Sequence, residues 1–335
     1  MWVKTKVERV SFSAMVWQDV NPESRTIDID GLRQIVDAPQ LAWIDVTDMA
    51  VLPQVADLLQ LDLHSIEDAT SARERPKAVR FEGYSFATVY GTKLGRASST
   101  RRRVQLAHIS VYTLPTCLLT IRRLHQFDMK PVIERWQADA KLARFGVDGL
   151  LQGLLDVIVD QQFDVLQGLD DDAEALIGRL FVDNPDLRDL QRQTFMLRRE
   201  LTDLRRVIPP MRDVIATLIR AGEIERAWTT ELISYYEDLN DHVLRATEWL
   251  DGLRDLVSSI FETNLALNDN RMNQVMKKLA GWAAIIAVPT LITGYFGMNV
   301  PYFGFGTTSG LIASSVLIIV AAVTLWVVMR RKDWI

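Results

Sequence analysis

The chain is poor in cysteine and histidine and, over one long stretch, wholly without charge. Cys117 is the only cysteine among 335 residues. No internal disulfide can form, and no Cys/His grouping has the spacing of a zinc site. Cys117 lies in the apolar run "TLPTCLLTI", which reads as a strand carrying a small buried thiol. The four histidines, His64, His108, His125 and His242, are scattered. They show no nucleophile–base spacing, and no glycine loop of the phosphate-cradling kind is present. These absences argue against an enzyme. "MWVKTKVERV" lacks the apolar segment of a signal peptide, so the N-terminal part is expected in the cytosol. A basic excess is missing too. Lys and Arg number 38 against 43 Asp and Glu, a net charge of −5, and no nucleic-acid partner is expected.

The deepest absence lies near the end. From Leu279 to Met329 there is no Asp, Glu, Lys or Arg. Pro301, glycines, Thr307, Thr308 and Ser309 break this span into Leu279–Met298 and Leu311–Met329. A helix of about 20 residues crosses the hydrocarbon layer. Both runs therefore predict transmembrane helices, with an uncharged loop between them.

What is there falls into zones. Over residues 1–128, "AWIDV", "SFATVY", "AHISVYT" and "CLLTI" read as strands, while "LRQIVD" and "LPQVADLLQL" have helical spacing. This predicts a mixed α/β cytosolic domain. "LGRASSTRRRV", residues 94–104, reads as an exposed hairpin loop whose basic run could touch phosphate. Residues 129–222 carry only helical patterns. Asp156, Asp160 and Asp164 recur every four residues, a carboxylate stripe that is either a solvated face or a weak cation-attracting surface. Asn184 and Pro185 predict the start of a further helix, and Pro209-Pro210 its interruption. Residues 223–278 contain no proline and one glycine, which predicts a single stalk helix running straight into the first span. A helix that long needs partners, because propensity alone does not hold it.

Lysine and arginine set the orientation. Lys277 and Lys278 precede the first span, and Arg330, Arg331 and Lys332 follow the second. By the positive-inside rule both termini are expected in the cytosol and residues 299–310 outside. Trp282 and Trp326 would mark the inner interface, and Tyr295, Phe296, Tyr302, Phe303 and Phe305 the outer one.

Within the first span two heptad columns share a stripe. One is Asn273, Ala280, Ala287, Gly294, and the other is Met276, Ala283, Thr290, Gly297. Small residues let helices approach closely. The same stripe could instead line a narrow polar pathway. Pattern alone leaves both open.

The segment "NQVMKKLAGWAAIIAVPTLITGYFGMN", residues 273–299, ends in Gly297-Met298-Asn299 between the two spans. It resembles the pore helix and signature tripeptide of the CorA family of divalent metal-ion transporters. "YEDLNDHV" resembles the family's stalk, "RRKDWI" its basic-aromatic tail, and "SIEDA" with "ARERPK" a segment of its cytosolic domain. The likeness runs through the whole chain in order.

The resemblance implies an α+β cytosolic domain, long stalk helices and two C-terminal spans, assembled as a funnel-shaped homopentamer in the cytoplasmic membrane. The cargo would be a hydrated divalent cation, Mg²⁺ or also Co²⁺ and Ni²⁺, with Zn²⁺ the alternative in the family's zinc-transporting branch. No cofactor beyond a transported or regulatory cation is implied. Gly297, Met298 and Asn299 would form the selectivity filter. Asn273, Met276, Leu279, Ala283, Ala287, Thr290 and Gly294 would line the pore. Lys277, Lys278, Arg330, Arg331 and Lys332 would form basic collars able to hold anionic lipid. Asp238, with Asp241 and His242 a turn later, matches the stalk half of a regulatory metal site. Its acidic partner falls near Gly95-Arg96, so a salt bridge from Arg96 or from Arg101-Arg102-Arg103 to Asp238 is expected in the metal's place. Ala287 stands where many members carry Met and would widen the pore, and the outer loop has no carboxylate. A membrane-anchored helical scaffold is the reading from a different class.

Overall fold

A computed structural model describes residues 12–18, 21–71, 74–95, 103–123, 126–182, 186–225, 228–298, 301, 304–332 and 334. The chain divides into two compact units, Met1–Ile260 and Phe261–Ile335.

The first unit is built on one mixed sheet. Its strands are β1 (Phe12–Gln18), β2 (Asn21–Ile27), β3 (Ala42–Val46), β4 (Lys77–Phe81), β5 (Tyr84–Leu94), β6 (Val104–Thr113) and β7 (Cys117–Arg122). They lie in the order β2-β1-β3-β7-β6-β5-β4. All neighbours are antiparallel except β3 and β7, which run parallel in the register Ala42↔Cys117 to Val46↔Ile121. The four runs expected as strands are β3, β5, β6 and β7 or parts of them, and Cys117 is fully buried.

Helices α1 (Ile29–Val36), α2 (Leu52–Leu59) and α3 (Leu63–Thr70) cover one face of the sheet. Phe86, Tyr112, Leu119, Ile121 and Ile44 point into that core with Leu32 and Val55. The other face carries α4 (Lys130–Ala138), α5 (Ala140–Arg144) and the 35-residue α6 (Gly146–Leu180). Leu150, Leu151, Leu154, Leu155, Ile158 and Val159 of α6 are all completely buried there, packed with Val89, Ile109 and Leu118 of the sheet. The helical region after residue 128 is thus not a separate domain. It closes one face of the sheet, and the two share a core, because a sheet with two apolar faces needs a layer on each.

Helices α7 (Leu187–Leu204) and α8 (Met211–Glu225) follow, broken at Pro209-Pro210 as expected. The α7 cap, however, is Asp186, whose carboxylate accepts from the amides of Arg188 and Asp189. Asn184 and Pro185 lie outside the described residues. The carboxylate cap satisfies two amides and complements the helix dipole.

The stalk helix also begins later than the sequence suggests. α9 spans Thr230–Phe296, and α8 ends at Glu225, so residues 223–278 are not one helix. No proline marks the break. Trp228 causes it: its amide donates to the Gly222 carbonyl at 3.2 Å, and its indole lies where a β-carbon on Gly222 would sit. The same indole donates to Asp148 at 2.8 Å and stacks on Tyr236 at 4.5 Å. Thr229 then caps α9, its hydroxyl accepting from the Leu232 amide.

The second unit holds the end of α9 and α10 (Thr308–Arg331). Both helices are long and apolar enough to cross a membrane, and only 6% of the most apolar window of each is buried by the chain itself.

Candidate functional site

The expected pore residues occupy one stretch of α9, and the chain leaves them open. Asn273, Met276, Leu279, Ala283, Ala287, Thr290 and Gly294 are all exposed. So are Lys277, Lys278, Arg330, Arg331 and Lys332. α9 passes through Pro289 unbroken. Proline has no amide hydrogen, so the Ile285 carbonyl one turn back loses its helical donor. Around that gap, the Thr290 hydroxyl donates to Ile286 O at 2.8 Å and the Thr293 hydroxyl to Thr290 O at 2.9 Å. Hydroxyls anchored in this way keep acceptor lone pairs facing outward. The stripe can therefore offer oxygen atoms to water without offering charge.

The helix closes just beyond it. Gly297 N donates to Thr293 O at 2.9 Å and Met298 N to Tyr295 O at 3.3 Å. Asn299 lies outside the described residues, as do Tyr302 and Phe303. The return is tight. Gly304 and Gly306 have φ of 89° and 73°, in the left-handed region that favours glycine. Gly310 packs on the Gly304 backbone so closely that a β-carbon would strike it. Thr307 caps α10, accepting from Gly310 N at 3.2 Å and donating to Gly304 O at 2.8 Å. Among the described residues of this loop, backbone bonds and Thr307 hold the turn without using a charged side chain.

At the other end of the unit, a cavity of about 800 Å³ is bounded by Asn273, Met276, Lys277 and Trp334. Trp334 N donates to Met329 O, which folds the tail back. Arg330 lies 5.1 Å over the Trp326 ring. Trp334 is the aromatic of the "RRKDWI" tail noted in the sequence, but its place beside Asn273, Met276 and Lys277 was not read there.

The acids of the stalk are not gathered. Asp238 and Asp241 are exposed, and His242 Nε2 stands 3.8 Å from Asp238 Oδ2, an ion pair only when the imidazole is protonated. The His242 ring packs edge-on against Phe163. Among the described residues no three Asp, Glu, His or Cys side chains are grouped to hold a metal. The Asp156–Asp164 stripe divides. Asp160 and Asp164 are exposed, whereas Asp156 is buried and paired with Arg135 at 2.6 Å. Burial pushes the Asp156 carboxyl up, with Arg135 opposing, so it is not part of a solvated face. Arg103 is also spoken for. Its guanidinium pairs with Asp172 and its amide donates to Glu200 at 2.7 Å, all within one chain. Arg103 thus already has a carboxylate partner within its own chain, while Arg96, Arg101 and Arg102 lie outside the described residues.

Comparison with known proteins places this arrangement. The family model for CorA-like Mg²⁺ transporter proteins matches residues 38–331. The cobalt/magnesium transport protein CorA of Thermotoga maritima is 27% identical over 324 residues, 93% of this chain and 89% of that protein. The zinc transport protein ZntB of Yersinia pseudotuberculosis is 23% identical and covers 99% of both chains. The complete structure of the CorA magnesium transporter from Methanocaldococcus jannaschii matches with a TM-score of 0.76 at 22% identity, over 97% of this chain and 99% of that one. A helix-faced mixed sheet, a long helix carrying a small polar stripe, and two apolar C-terminal helices flanking Gly-Met-Asn all fall within that match, and the chain belongs to the CorA family.

Proposed function

We propose that the chain is a homopentameric channel that passes hydrated Mg²⁺, and with it Co²⁺ or Ni²⁺, across the cytoplasmic membrane. Both termini are in the cytosol and residues 299–310 outside. The observation that supports this is the exposed stripe on α9 from Asn273 to Gly294, small apart from Met276 and Leu279 and polar at Asn273 and Thr290, ending at Gly297-Met298. Small side chains leave the helix surface open to close approach and expose backbone and hydroxyl oxygens. That surface lines a narrow path when copies close into a ring with the stripe at the axis. Mg²⁺ keeps its water and prefers six oxygens. Five Asn299 amide oxygens and the Gly297 carbonyls address the hydrated ion without the grip of a carboxylate ring. Leu279 and Met276 form the inner constriction, and the basic residues at both helix ends form its collar. Asp238 and Asp241 meet a regulatory cation only with a ligand from a neighbouring copy, because no three acidic, His or Cys side chains are grouped there among the described residues.

A second reading is Zn²⁺ as cargo. It is favoured by the full-length match to ZntB and by the carboxylate-free outer loop. Proteoliposomes containing Mg²⁺- or Zn²⁺-sensitive dye separate the two. Mg²⁺ entry with little Zn²⁺ entry is expected, the reverse favours the zinc reading, and no flux of either leaves a scaffold. The topology is tested by Thr308→Cys in a Cys117→Ala background. An impermeant thiol reagent added to intact cells should label it, and labelling only after lysis overturns the orientation.

A further inference from the structure

Away from the transport residues, the first unit holds a cavity of about 820 Å³ on the α3 face of the sheet. It opens at the carboxyl ends of β3, β5 and β7, which point the same way. In sheets with parallel strands this is where ligands collect. The volume suits a small organic molecule. Tyr90 and Leu106 form its floor with His108 and Ile121. Tyr90 and His108 meet edge to face at 5.3 Å.

The rim is cationic. Arg75, Arg123 and Arg206 line it from three separate segments: the approach to β4, the end of β7 and the turn after α7. None of the three has a carboxylate partner among the described residues. The other charges nearby are already matched. Arg122 is held by Asp45 at 2.7 Å, and Glu74 by Lys77 at 3.0 Å. Burial, then the nearby Arg123 charge, pushes His108 down to about 4, so the imidazole is a neutral part of the floor. Three guanidiniums lining one concave site without carboxylate partners make its rim attractive to an anion.

A second observation lies in the floor itself. Along the same sheet face, the hydroxyls of Thr88 and Ser110 and the Nε2 of His108 are buried without hydrogen-bond partners. Thr88 pairs with Ser110 and Tyr90 with His108 across β5 and β6, so these groups stand side by side. Orphaned buried polar atoms in a run are uncommon in folded proteins. Of these only His108 lines the cavity, where its Nε2 is left able to pair with a ligand or its water; Thr88 and Ser110 are the next pair along the same two strands.

We propose that this cavity binds a nucleoside triphosphate, with the phosphates on Arg75, Arg123 and Arg206 and the base against Tyr90, His108 and Leu106. The guanidinium fork matches phosphate oxygens two at a time, and three forks suit an oligophosphate better than a single phosphate. The apolar floor and the volume call for more than an inorganic anion. The site is independent of the transport reading, since occupancy is measured without flux.

The test is calorimetric titration of the full-length protein in detergent with ATP, AMP and inorganic tripolyphosphate. ATP should bind saturably and more tightly than either of the others. Arg123→Gln/Arg206→Gln should weaken ATP by about tenfold or more, from the loss of charge-assisted hydrogen bonds. Both side chains are exposed, so the variant should fold. The remote pair Arg188→Gln/Arg192→Gln serves as the control and should leave affinity unchanged. No saturable ATP binding overturns the proposal, as does an equal loss in the control pair. Tripolyphosphate binding as well as ATP removes the nucleoside from it.

Discussion

Two stretches of the same helix behave in opposite ways. In α9 up to Ile260, Leu239, Val243, Ala246, Leu250, Leu253, Val257 and Ile260 are all at least 98% buried, a regular seam. After Phe261 the apolar residues turn outward: Leu279 is 64% exposed, Ile286 65% and Leu291 74%. The first stretch belongs to a unit that satisfies its own apolar surface on both faces of a sheet. The second belongs to a unit whose apolar surface has no cover within the chain. Stability in the first unit is a property of one chain. In the second it depends on what covers the helices from outside the chain, and in the proposed oligomer that is where a transport path would be built, since only surfaces left open by each copy can line a shared axis.

The strongest test of that contrast is Asn299→Ala. Transport should be abolished while the oligomer and the melting of the first unit stay as they are. In the proposed channel the amide would address the ion's water, whereas a helix cap contributes about 1 kcal/mol of local stability. Flux in proteoliposomes and size-exclusion chromatography in detergent read the two outcomes. Wild-type flux would reduce Asn299 to a cap and remove the functional side of the comparison.

Next in size is Asp45→Ala. Asp45 is buried and accepts from Arg122 Nε at 3.1 Å, Arg122 Nη2 at 2.7 Å and the Thr120 hydroxyl at 2.8 Å. Removing it strands a buried guanidinium, at a cost of about 3–5 kcal/mol. The counterpart in the second unit is Ile319→Ala, 62% exposed. Lipid tails are as apolar as the side chain they replace, so the change should be under about 1 kcal/mol. Thermal unfolding of both variants in detergent checks the pair. A large loss for Ile319→Ala would mean that another copy's helix covers α10 there.

How much of this could be read beforehand depends on the range of the interactions. The spans and the Pro209-Pro210 break are local signals, and so are β3, β5, β6 and β7. β1, β2 and β4 were missed. β2 is an edge strand with Pro22 and a polar run, and β4 is the opposite edge, so neither shows the alternation of a half-buried strand. The β3–β7 parallel pairing joins residues some seventy positions apart and leaves no pattern in either segment. The α8–α9 break depends on Trp228 reaching Gly222 and Asp148, the latter 80 residues away in sequence. Asp156 was grouped with its exposed neighbours because spacing cannot show that Arg135 lies beside it. The stripe from Asn273 to Gly297 was legible as a stripe. Its two physical meanings, close packing and a polar path, are not separated by the pattern, and the pore reading rests on the resemblance carried by Gly297-Met298-Asn299.

A smaller effect is tied to pH and confined to the first unit. His108 is held down to about 4, by burial first and Arg123 second. Between that value and the ordinary 6.5 the unfolded chain binds a proton that the folded chain does not. Stability is therefore complete above pH 6.5 and declines as pH falls toward 4, by about 2 kcal/mol between about pH 7 and pH 5. His108→Gln should flatten the decline in that window when unfolding is followed across pH. An unchanged slope would assign the acid sensitivity to other groups and loosen the link between burial in this unit and its stability.

The smallest effect sits in the loop of the second unit. Thr307→Ala removes the oxygen that accepts from Gly310 N and the hydroxyl that donates to Gly304 O. The cost of losing such a cap is about 1 kcal/mol. It should appear as faster amide exchange at the start of α10, with flux unchanged and Thr307→Ser restoring protection. The cap acts on the return to the second helix, whereas Asn299 belongs to the tripeptide that closes the first. If flux instead fell as far as in Asn299→Ala, the glycine-built turn would be part of the outer mouth. The division would then lie between the whole loop and the helices, rather than between the tripeptide and everything after it.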